Sequence, residues 1–143
     1  MYEKSGIIIN MLIHFYKLIE SFKSNPAKRD KLIIVAISIG IFINILIWLL
    51  IYLKLKPAII HSGKIDAYIP LHYNIYIGID SYGNWRKVFY LPGIGLLFII
   101  INSILAFYLY NKKKILSYFF SITTPFLQFL LLVSLILIVL INI

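Results

Sequence analysis

The sequence predicts an all-α integral membrane protein with three transmembrane helices, and three observations lead there. Its 143 residues are 62% hydrophobic with a mean hydropathy of +0.94, well above the roughly half-apolar content of soluble domains. Three uncharged runs, residues 32–53, 91–110 and 115–141, each reach the length of roughly 20 residues that crosses a hydrocarbon core as helix. The charged residues lie outside those runs. Lipid leaves open backbone groups unsatisfied, so the runs are expected to be helical. Buried strands of a soluble α/β protein, the competing fold for a chain with 32 isoleucines, do not reach such lengths.

In order along the chain, residues 1–31 come first. A helix over residues 7–22 would gather Ile8, Met11, Leu12, Phe15, Leu18, Ile19 and Phe22 on one side, leaving His14, Lys17, Glu20 and Lys23 elsewhere. That pattern predicts an amphipathic helix at an interface, too short and too charged to span. Its mixed acids and lysines, and the lack of a small-residue cleavage site, argue against a cleaved signal peptide. Span 32–53 carries Trp48 and Tyr52 toward its far end, where aromatic rings settle at an interface.

The loop 54–90 holds the polar side chains of most varied chemistry. From Ile65 to Ile79 every odd position is apolar, while the even positions carry Asp66, His72, Asn74 and Asp80. Period two predicts an extended strand with one apolar face. Pro70 confines it to an edge. Ser81-Tyr82-Gly83-Asn84 reads as a turn, and residues 85–90 as a short return strand. A hairpin of two strands is marginal in water, so its apolar face should rest on helix ends or lipid. Span 91–110 opens with Pro92-Gly93-Ile94-Gly95, a helix start whose small residues admit a close neighbour. After the basic loop 111–114, span 115–141 contains Thr123-Thr124-Pro125, which predicts a kink with hydroxyls bonding the freed backbone groups.

The net charge of +9 sits at the ends of the spans. This favours topology signals and contact with anionic head groups over nucleic acid. Nine Lys and Arg, including Lys28, Arg29, Lys31, Lys112, Lys113 and Lys114, fall in residues 1–31 and 111–114, against five in the loop 54–90. The N-terminus and the lysine triplet are therefore expected in the cytoplasm, with the 54–90 loop and the C-terminus outside.

Asn44, Asn102 and Gln128 lie near the middles of the three spans, at one depth if each residue rises about 1.5 Å. Interhelical polar contacts among them would contribute about 0.6–2 kcal/mol each. A polar substrate path is the alternative use. The spans carry no ionisable residue, which speaks against a proton or ion pump.

No catalytic or metal site is expected. The sequence has no cysteine, so disulfide and thiolate chemistry are excluded. His61, His72, Asp66 and Asp80 lack metal-ligand spacing. Asp66 and Asp80 lie roughly 45 Å apart on a fully extended strand, so only a fold-back joins them for acid–base work. Structural use of His72 and Asn74, bonding a turn backbone where Gly78 and Gly83 let the chain reverse, is the favoured reading.

Pro70, His72 and Asn74, followed by Gly78, Asp80 and Gly83 and then a span starting Leu91-Pro92, make up a P-x-H-x-N…G…D…G pattern. Over about residues 55–110 it resembles a bacterial membrane domain of unknown function that accompanies SdpI-type immunity and signalling proteins. In that domain the first glycine follows the asparagine by three positions; here it follows by four. The resemblance implies a span–outer loop–span module in a bacterial cytoplasmic membrane. Together these readings predict a non-catalytic accessory, immunity or sensor component without cofactor. Its partners would be the lipid bilayer and other membrane subunits or a second copy. A small transporter or channel subunit using the mid-span amides is the alternative.

Overall fold

Asp30 starts the first long helix. Its Oδ1 accepts from the Leu32 N–H at 3.0 Å, the side-chain cap that the orphan N–H groups of a helix start require. The computed structural model describes residues 11–13, 16, 20, 25–61, 63 and 68–143. Within it run α1 (Lys31–His61), α2 (Tyr90–Tyr110) and α3 (Lys114–Asn142), with strands β1 (Tyr68–Asn74) and β2 (Gly78–Asn84) between α1 and α2. All three helices are long and apolar enough to cross a membrane. Of the expected amphipathic helix, residues 11–13, 16 and 20 are helical. Its remainder, with His14, lies outside the described residues, as do Ile65, Asp66 and Ala67.

α1 runs past residue 53, where hydropathy ends the span, and holds Pro57 inside it. A proline there lacks an N–H and drives its ring at the carbonyl four residues back. The chain answers with a π turn over Ile51–Leu55, the Lys56 N–H reaching Ile51 O, and resumes as α-helix over Lys56–His61. A single widened turn absorbs what would otherwise break the helix.

The strands pair antiparallel, and the chain reverses at residues 75–77, not at 81–84. Asn74 Oδ1 accepts from the Tyr76 N–H at 2.9 Å, and Gly78 takes φ +84°, which only glycine adopts without strain. Asn84, read as turn from sequence, instead accepts from the Arg86 N–H and starts a 3-10 turn over Trp85–Phe89 that leads into α2. Residues 85–90 are thus helical rather than a return strand. The register shifts on both sides of His72, leaving Leu71 and Asp80 unopposed. Bulges of this kind break strict alternation. Only the base of the hairpin is buried, at Ile69 and Gly83. Tyr73, Ile75, Ile77 and Ile79, expected on helix ends or lipid, are exposed.

The bundle core is layered. At the hairpin end Ile47, Ile51, Leu55, Ile59, Leu135 and Val139 of the helices enclose Ile69, Trp85 and Val88, and Trp48, Tyr52 and Phe89 pack ring against ring beside them. In the middle lies a layer of amides. At the other end most buried residues are small, Ala36, Gly40, Ala106, Ser117, Ser121 and Thr124, with Ile33 the large buried side chain of that end of α1. There the ideal Cβ of Gly40 would fall 2.8 Å from Thr124 Cγ2, so α1 and α3 touch where α1 has no side chain. α3 continues through Pro125 as one helix, while the Thr123 and Thr124 hydroxyls donate to the Phe119 and Phe120 carbonyls.

Candidate functional site

Three groups of polar side chains stand out, one at each end of the bundle and one in its middle. The middle group joins all three helices. Asn44 Nδ2 donates to Pro92 O at 3.0 Å and to Gln128 Oε1 at 3.1 Å, and Gln128 Nε2 donates to Gly95 O at 2.6 Å. Glycine is required at the centre: a Cβ on residue 95 would lie 2.7 Å from both Asn44 Nδ2 and Gln128 Oε1. Asn102 does not join. It lies seven residues beyond Gly95, about 10 Å further along α2, buried, and its Nδ2 has no hydrogen-bond partner among the described residues. The neighbouring Ser103 Oγ is likewise buried without a hydrogen-bond partner.

At the hairpin, the fold-back brings His72 to Asp80, Nδ1 to Oδ1, at 2.7 Å. A carboxylate only accepts, so Nδ1 carries the proton. The pair is largely open to solvent and ties the two strands across the bulges. Asn74 and Gly78 build the turn, Gly83 lies under the Leu71 side chain, and Pro70 gives its carbonyl to Asn142 Nδ2 at 2.8 Å. That last bond moors the hairpin to the end of α3. Beyond the turn-forming Asn74, the tip presents Ile75, Tyr76 and Ile77 at 81%, 93% and 76% exposure. Among the described residues no three His, Asp or Glu side chains gather as metal ligands.

The third group, at the opposite end, is one that the sequence did not disclose. Asp30 Oδ2 accepts from the hydroxyls of Tyr118, at 2.7 Å, and Tyr110, at 2.8 Å, while its Oδ1 caps α1. One carboxylate thereby ties the start of α1, the end of α2 and the start of α3. The hydrogen bond from Tyr118 above all holds its carboxyl below the usual carboxylate value, against partial desolvation that raises it. Asn25 Nδ2 adds a bond to Phe107 O at 2.6 Å. Lys114 stands over the Tyr110 and Tyr118 rings and Lys112 over Tyr108. The available signal was Asp30 itself, a lone acid between Arg29 and Lys31 at the N-cap position of a span. Lys28, Arg29, Lys31 and Lys113 are exposed.

No family model, curated protein or solved structure matches the chain.

Proposed function

We propose that this chain is a multi-pass protein of the bacterial cytoplasmic membrane and acts there as a non-catalytic binding component, an accessory subunit or an immunity or sensor protein. The N-terminal segment and the turn carrying Lys112 and Lys113 face the cytoplasm, by the distribution of Lys and Arg. The hairpin and the end of α3 face outward. The observation that carries the reading is the hairpin tip: Ile75, Tyr76 and Ile77 are exposed on an element whose base is buried in the bundle and moored by Asn142. Apolar side chains held out on a fixed support suit a protein partner. The likeness of the loop to the SdpI-type domain points the same way. The amide layer supports a structural use of Asn44 and Gln128, since both amide nitrogens donate to named acceptors.

Extraction of the full chain from its membrane in mild detergent, followed by a native gel, tests this. Co-migration with larger membrane proteins or with a second copy is expected, and its loss when Ile75, Tyr76 and Ile77 are each replaced by Ser, with unchanged thermal stability. A lone monomer from the native membrane sinks the proposal. A transporter or channel subunit is the second reading, favoured by the unpartnered Asn102 Nδ2 and Ser103 Oγ inside the bundle. Flux through liposomes containing the native chain, abolished in Asn102→Leu, would support it over the first.

A further inference from the structure

α1 and α3 enclose a groove of about 440 Å³ on the outside of the bundle. Val35 and Ile39 form one wall, Ile122 and Pro125 the other, Ala36 the floor, and Lys31 stands at its mouth. Beyond Ile39 the two helices meet at the Gly40–Thr124 contact. From Lys31 to Ile39 the groove therefore follows about 12 Å of helix axis. Val35, Ile39 and Ile122 are exposed to whatever surrounds the bundle. The furrow is apolar along its length and cationic at one end.

The charge at that end is net positive, three basic side chains against the one carboxylate of Asp30. Lys31 is exposed, as are Lys28 and Arg29 on the preceding turn Pro26–Arg29, and none of the three has an ion pair among the described residues. The adjacent acid, Asp30, stays charged but directs both oxygens to the chain's own donors: Oδ1 accepts from the Leu32 N–H, and Oδ2 from two tyrosine hydroxyls. An occupant with a flexible hydrocarbon chain and a terminal negative charge complements both parts.

We propose that this groove is a binding site for one anionic phospholipid, an acyl chain lying between α1 and α3 and the head-group phosphate held at Lys31. The inference rests on the membrane reading above and deepens it. Apolar lining and solvation by hydrocarbon make the furrow a place for a chain, while a basic residue beside an anionic head group adds attraction that a zwitterionic lipid does not return. The site lies at the cytoplasmic side of that reading, where Lys31 meets the head-group layer.

The test uses the purified full chain in nanodiscs of phosphatidylglycerol and phosphatidylcholine in equal parts, released into the mass spectrometer under native conditions. One phosphatidylglycerol per chain is expected to survive release. Ile39→Trp, which fills the groove from its exposed wall, should abolish that retention. Lys31→Gln should weaken it about fivefold, the weight of one basic residue beside an anionic lipid, and guards against a folding defect in the tryptophan variant. Lys54→Gln, exposed at the far end of α1, should leave retention unchanged. Retention of phosphatidylcholine equal to that of phosphatidylglycerol overturns the anionic site, as does retention that is indifferent to Lys31. A helical chain that resists carbonate extraction yet keeps no lipid overturns the groove and leaves the membrane reading standing. Release of the chain by carbonate overturns both.

Discussion

Gly95 is the residue on which the middle of the bundle turns. Its missing side chain makes the space in which Asn44 and Gln128 meet, so a methyl group there collides with two polar atoms at 2.7 Å. Gly95→Ala is expected to destabilise by about 1–3 kcal/mol, the range for overpacking a filled core, read as a fall in melting temperature in detergent. Gln128→Leu and Asn102→Leu separate satisfied from unsatisfied amides. The first strips Gly95 O of its side-chain partner and Asn44 Nδ2 of one of its two acceptors, and should cost about 1–2 kcal/mol. The second removes a buried donor that has no partner among the described residues and should be neutral or stabilising. Equal losses in both variants would show that burial alone, not pairing, sets their worth. Small residues at the start of α2 were legible as a close-approach signal. Which amides would pair was not, because depth along an axis says nothing about direction around it, and spans apolar on every side give no stripe to read.

At the scale of elements, Asp30 matters most, because it joins three helix ends. Its unfolded carboxyl titrates at about pH 4, and in the folded chain the tyrosine hydroxyls and the Leu32 N–H lower that value. The stabilisation is therefore complete above about pH 4 and disappears as pH falls through the lowered native value. Asp30→Asn keeps an oxygen for the cap but loses the charge that receives two hydroxyls. It should cost about 1 kcal/mol at neutral pH, allowing for the partial exposure of the site. The gap between native and variant melting temperatures should close on acidification. A gap independent of pH would place the effect in the cap. The existence of a hairpin was readable from alternation, but its turn was not. Ser81-Tyr82-Gly83-Asn84 has the better turn composition, yet Asn74 and Gly78 supply the side-chain cap and the left-handed φ that reverse the chain. The continuation of α1 past Pro57 was hidden for a similar reason: a π turn upstream relieves the clash that normally ends a helix.

For the whole molecule, the proposed topology puts the hairpin tip and the α2–α3 turn on opposite sides of the bilayer. The chain has no cysteine, so single substitutions report side without background. Tyr76→Cys should react with an impermeant maleimide in intact cells, and Lys113→Cys only after permeabilisation. The reverse pattern would invert the topology. Reaction of both from one side would remove the spanning arrangement.

The bonds that α3 makes also impose an order of assembly. As α1 and α2 emerge, Asn44 can reach Pro92, but Gly95 leaves an open notch with its side-chain partner still missing, and the hairpin has nothing holding Pro70. Gln128 closes the notch and Asn142 moors the hairpin, and both belong to the third helix in chain order. In the proposed membrane topology, a stage of synthesis with only α1 and α2 in place has an uncovered polar gap in its middle and a hairpin not yet moored at Pro70. On that reading, whatever surrounds the first two helices during insertion must shield the gap until α3 covers it.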